Sequence, residues 1–124
     1  MAKGRNTFSD KRPYKVYTAL LTQSGTDAPV ATVLENTLGG TLVWTRDTTG
    51  QYTGTLNGAF TENKTFITTQ FNATLTPPSG GYVYGILGER NDNDSIHLIT
   101  FDIPSTDTGD GILNETPIEI RVYN

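Results

Sequence analysis

The chain has 124 residues, no cysteine, one histidine and a net charge of −4, which points to one domain with a single core burying roughly 65% of its unfolded surface. Without cysteine there are no disulfides, thiolate nucleophiles or cysteine-ligated zinc. The charge is uneven: Lys3, Arg5, Lys11 and Arg12 against Asp10 give residues 1–13 a charge of +3, so residues 14–124 carry −7, a body that disfavours nucleic acid.

Residues 1–13 read as an extended basic arm, with Phe8 as its one sizeable apolar anchor and Lys3, Arg5, Lys11 and Arg12 as its charges. A basic arm on an acidic body suits docking on a neighbouring subunit. The N-terminal residues hold no apolar stretch of the signal-peptide kind, and no run approaches the ~20 apolar residues of a membrane helix. The expectation is synthesis in a host cytoplasm and no membrane partner.

Residues 14–124 read as an all-β domain. Threonine is abundant, with 22 residues, and it clusters with Val, Ile, Tyr and Phe, which suit a pleated, half-buried surface. No helical periodicity appears. Strand signals recur about every ten residues. The first runs from Tyr14 to Gln23 and the second from Val30 to Asn36. Thr41 to Arg46 puts Leu42 and Trp44 on one face, and Gln51 to Leu56 does the same with Tyr52 and Leu56. Lys64 to Phe71 alternates, Tyr82 to Leu87 follows the Pro77–Gly81 break, and Ser95 to Ile103 and Ile118 to Tyr123 complete the set. Asp47–Gly50 reads as a hairpin loop, Asn57-Gly58 as a two-residue hairpin turn, and Asn91–Asp94 and Asp107–Gly111 as polar loops. The architecture expected is a single sandwich or barrel of about eight mostly antiparallel strands.

Catalytic patterns are missing. Ser95 and His97 share a strand face, but two rises of ~3.3 Å separate them by more than a hydrogen bond. Gly109-Asp110-Gly111 begins like a dinucleotide fingerprint, yet Asn114 stands where the third glycine belongs. Asp92, Asp94, Asp107 and Asp110 lack EF-hand spacing, though they remain possible calcium ligands if their loops meet. Glu35, Glu62, Glu89 and Glu119 supply carboxylates of the glycosidase kind, as any acidic protein does. The sequons at Asn63, Asn72, Asn93 and Asn114 follow from Asn and Thr abundance. No enzyme activity, metal or cofactor is expected. Trp44, Tyr52, Tyr82 and Tyr84 are candidates for a flat sugar-binding platform; the alternative is a core cluster, which the alternation of Trp44 with Leu42 favours.

The stretch Pro29-Val-Ala-Thr-Val-Leu-Glu-Asn-Thr-Leu-Gly-Gly-Thr-Leu-Val-Trp-Thr-Arg, continuing Gly50-x-Tyr-x-Gly-x-Leu-x-Gly-x-Phe60, resembles small β-rich proteins encoded among the structural genes of tailed phages, notably crAss-like phages and relatives infecting Bacteroidetes. The first strand and the C-terminal Ile-Glu-Ile-Arg-Val-Tyr strand fit the same pattern. The resemblance implies a virion component: a capsid decoration, a head-fibre element or a tail-associated protein. Its partners would be copies of itself and other virion proteins such as the major capsid protein. The residues alone leave two other expectations open, a glycan-binding or host-surface-binding sandwich and a self-polymerising filament subunit.

Overall fold

The computed structural model describes residues 11–70, 83–103 and 106–124. Among these residues the chain is all-β, with eight antiparallel strands: β1 (Tyr14–Thr22), β2 (Val30–Asn36), β3 (Val43–Thr48), β4 (Gln51–Thr55), β5 (Thr65–Thr69), β6 (Val83–Asp92), β7 (Ser95–Ile103) and β8 (Thr116–Tyr123). They form two four-stranded sheets, in the orders β2-β1-β8-β5 and β3-β4-β7-β6, consistent with a sandwich. The first sheet therefore has β2 and β5 as its edges, with the first and last strands paired at its centre.

Alternation makes the core. Tyr17, Ala19 and Leu21 of β1 and Ile118, Ile120 and Val122 of β8 turn inward, opposite Trp44, Tyr52, Ile96 and Leu98 of the second sheet. Leu38, Leu42, Phe60 and Leu113 from the connections close the ends of this layer. The two sheets also share a polar contact, because the Trp44 indole N–H donates to the Tyr17 hydroxyl at 3.3 Å. Burial raises the Tyr17 pKa, an effect partly offset by this bond. On the far side β5 and β6 approach closely: a Cβ on Gly88 would lie 3.0 Å from the Ile67 methyl and 3.4 Å from that of Thr69. Glycine at 88 is what lets β5 settle there.

Several boundaries differ from the pattern reading, each for a local reason. β8 starts at Thr116 and so includes Pro117, which pairs with Leu20 of β1. The β5 ladder ends at the Thr69–Ile118 pair, so Pro117 has no strand on its other side to deprive of an N–H. β6 runs past Leu87 to Asp92, because Gly88, Glu89 and Arg90 pair with Leu98, His97 and Ile96. Its hairpin turn is held by the Asp92 carboxylate, which accepts from the Asp94 N–H at 2.8 Å and the Ser95 hydroxyl at 2.9 Å.

Asn57-Gly58 is not a hairpin turn. It bends the chain out of β4 and across to β5 in the other sheet, and the β6–β7 turn grips it. The Gly58 N–H donates to Asp94 Oδ1 at 2.7 Å, and the Leu56 and Phe60 N–H groups donate to the Asp94 and Asn93 carbonyls at 2.9 Å each. Tyr82 and the Pro77–Gly81 break lie outside the described residues, as does Phe71.

Candidate functional site: an open edge and an aromatic–arginine face

One polar system on the second sheet is structural. At one end Asp110 accepts from Arg46 Nη2 at 2.8 Å, from the Gly50 N–H at 2.9 Å and from the Tyr52 hydroxyl at 2.8 Å. Tyr52 Oη also lies 2.9 Å from Gln23 Oε1; its single proton goes to the charged acceptor, and the Gly111 N–H serves Gln23 at 2.7 Å. Arg46 first of all, with the Gly50 and Tyr52 donors, holds the Asp110 carboxyl at about 2, below its ordinary 3.8. Burial foremost, then the neighbouring carboxylate, pushes the Tyr52 phenol well above its usual range.

His97 sits on the outer face of the same sheet. Its Nδ1 is 3.7 Å from Glu89 Oε2 and its Nε2 is 3.9 Å from Asp47 Oδ2, both beyond hydrogen-bond length. The Ser95 hydroxyl is turned to Asp92 instead. Among the described residues no three His, Cys, Asp or Glu side chains gather as metal ligands.

Trp44 takes the core place that its alternation with Leu42 favoured over a sugar-binding platform, and Tyr52 lies in the same core. Trp44 is 7% exposed and Tyr52 0%, so neither presents a ring face to solvent: one spans the core and the other anchors the Asp110 system. Tyr84 is half-buried, and Tyr82 is outside the described residues.

The exposed aromatics lie on the outer face of the first sheet. Register puts Glu35, Thr18, Glu119 and Thr68 in one row across β2, β1, β8 and β5, with Val16, Arg121 and Phe66 in the next row across the last three strands. Tyr14 and Tyr123 pair beyond them, their rings 5.0 Å apart and tilted by 54°. The Tyr14 ring has guanidiniums on it from two sources, Arg121 at 4.6 Å and Arg12 at 5.7 Å. Each arginine also holds a carboxylate: Arg121 Nε to Glu119 at 2.7 Å, and Arg12 Nη2 to Glu35 at 2.7 Å with Nη1 at 3.3 Å. The Glu35 carboxyl is lowered by the Arg12 hydrogen bonds. Phe66 stands beside them, exposed. Along the row of Thr18, Glu119 and Thr68 the face carries a depression of about 220 Å³, which Pro117 and Gln70 also line.

This face adjoins the edge strand β2. Val30, Val33 and Leu34 are 68%, 49% and 60% exposed, an unusual load of apolar surface for a strand that, among the described residues, is paired on one side only. A register shift opposite Thr18/Ala19 leaves Leu34 without a Cα partner on β1. Of the arm residues, Arg12 is tied to Glu35 at this edge and Lys11 is exposed, while Lys3, Arg5 and Phe8 lie outside the described residues.

Pattern reasoning missed Tyr14, Phe66, Glu119, Arg121 and Tyr123 as a surface. The spacing of Glu119, Arg121 and Tyr123 already put them on one face, but nothing in the spacing showed that β1 and β5 flank β8. A second cleft, of about 240 Å³, opens between the Gly39 and Asn57-Gly58 connections, with Lys15 and Lys64 on its walls.

No known family model, curated protein or solved structure matches the chain.

Proposed function

We propose that the chain is a phage virion structural protein that works by protein–protein assembly, with copies of itself and with other virion proteins such as the major capsid protein. The observation that carries the assembly part is β2: seven residues of edge strand with Val30, Val33 and Leu34 exposed. An apolar strand with unpaired N–H and C=O groups is a template for another chain, and natural edges are usually blunted by lysine, proline or inward charge. β2 carries no lysine or proline; it has a register shift at Leu34, and its one charge, Glu35, is paired with Arg12. Alternate residues direct about six backbone groups away from β1, each worth about 0.5–1.5 kcal/mol once bonded.

The virion part is supported by the resemblance of Pro29–Phe60 and of both terminal strands to small proteins encoded among tailed-phage structural genes. The arm agrees with it: a +3 segment whose Arg12 is tied to Glu35 at the β2 edge suits contact with an acidic neighbouring subunit. Mass spectrometry of gradient-purified virions of the encoding phage tests the reading. The chain is expected in a fixed ratio to the major capsid protein, and its absence from purified particles overturns the assignment.

A further inference from the structure

We infer that the outer face of the first sheet is a binding site for neutral glycan chains, with one sugar ring stacked on Phe66 beside Arg121 and the hydroxyls of the neighbouring ring held by Glu119, Thr68 and Thr18. The inference needs neither the virion assignment nor the β2 edge.

The chemistry of a sugar is a ring with apolar C–H faces and a rim of hydroxyls that both donate and accept. The face meets each demand separately. Phe66 is 53% exposed and points away from the core, since Ile67 and Thr69 of the same strand turn inward against Gly88. An exposed phenyl in a short edge strand contributes little to folding, and its flat face suits C–H stacking. One row along, the depression of about 220 Å³ is lined by Thr18, Thr68 and Glu119, two hydroxyls and a carboxylate set across three strands. Arg121 pairs in register with Phe66 and brings fork-shaped donors next to the Glu119 acceptor.

The Glu119–Arg121 pair is suited to a diol. Its two side chains are 35% and 34% exposed, so hydrogen-bonding capacity beyond their shared bond faces solvent. A carboxylate and a guanidinium side by side accept from one hydroxyl and donate to its neighbour. The pair is also held in place: the Arg121 guanidinium rests on the Tyr14 ring at 4.6 Å and its Nη1 reaches the Tyr123 hydroxyl at 3.4 Å. Side chains fixed before binding lose less entropy on binding, and β8 is a central strand.

Charge selects the ligand class. Among the described residues Arg121 is matched by Glu119 and Arg12 by Glu35, so neither guanidinium of the face is set aside for a phosphate or an acidic sugar. A neutral hexose or pentose polymer fits, and one site would bind weakly. Copies arrayed on a particle raise such binding by a factor of about 10²–10⁴.

Affinity electrophoresis of the whole chain in native gels containing dextran, mannan, galactan or xylan tests this, with alginate as the acidic control. At least one neutral polymer is expected to retard the protein, and Phe66→Ala to abolish the retardation while Phe66→Tyr keeps it. Glu119→Gln should weaken it several-fold. The circular dichroism melts of these variants should match the parent's, because the side chains are exposed. Passage unretarded by all four neutral polymers, retardation by alginate alone, or equal retardation of Phe66→Ala overturns the site. Loss of self-association in Phe66→Ala with unchanged gel mobility gives the face to a protein partner, which also overturns it.

Discussion

Replacing Asp110 with alanine strips one carboxylate from four hydrogen-bond donors at once, and the structure shows which of them has somewhere else to go. The Tyr52 hydroxyl can turn to Gln23 Oε1, 2.9 Å away, so its loss is small. The Gly50 N–H, 2.9 Å from Asp110 Oδ1, has no such reserve in a buried turn, and an orphaned buried donor costs about 1–3 kcal/mol. The Arg46 side chain reaches solvent, so losing its ion pair adds little after screening. The total is about 1–3 kcal/mol, or a drop of roughly 4–12 °C in Tm for a domain of this size. Thermal melts followed by circular dichroism at pH 7 measure it. The pH dependence gives a second check. The folded Asp110 carboxyl sits at about 2, below its ordinary 3.8, so its contribution is full above the ordinary value and is lost as pH falls through 4 towards 2. The gap between the parent and Asp110→Ala should close over that range. A fall in Tm of less than about 3 °C at pH 7, or a gap that stays constant to pH 2, would refute this account of the Asp110 system.

Three further outcomes follow from local geometry. Gly50 has φ +68°, and a Cβ there would lie 2.6 Å from Gly109 N and 2.7 Å from the Thr100 carbonyl oxygen; both are backbone, so Gly50→Ala should cost more than about 3 kcal/mol in denaturant titration. Tyr17 and Tyr52 have raised pKa values, so ultraviolet titration should show both phenols ionising above the ordinary tyrosine value, with stability falling as pH rises above 10. Deleting residues 2–10 should leave the melt nearly unchanged, since the core starts with β1, while weakening self-association; rising salt should weaken the parent's association too.

The strands were legible because a pleat writes itself into sequence with a period of two. Ile118, Ile120 and Val122 carry that period cleanly, and Val30–Asn36 and Ser95–Ile103 were read with the bounds they have. Pairing was less legible, because the period reports which residues share a face and not which strand lies next door. Asn57-Gly58 has the residues of a tight hairpin, yet β4 pairs with β3 and β7, and the turn serves a crossing between sheets. The strand read as Tyr82 to Leu87 stopped short of Gly88, but neither Gly85 nor Gly88 ends a strand. Instead they are places where another side chain lies over the backbone, as at Gly85, where a Cβ would come within 2.4 Å of the Phe101 ring. The same limit governed the site. Trp44 and Tyr52 alternate with their neighbours much as Tyr14, Phe66 and Tyr123 do, and only the stacking of the two sheets decides which set is covered. The Arg12–Glu35 clasp joins residues 23 positions apart and left no local signal at all.

The central claim is that β2 is an assembly edge. Sedimentation velocity of the parent and Leu34→Lys, from about 10 µM to about 1 mM, tests it most directly, because a strand-sized contact supports only weak, concentration-dependent association and an edge lysine is the natural means of blocking it. The account predicts reversible self-association of the parent over this range and a monomeric Leu34→Lys with an unchanged melt. A parent that stays monomeric throughout, or a Leu34→Lys variant that associates as the parent does, would contradict it.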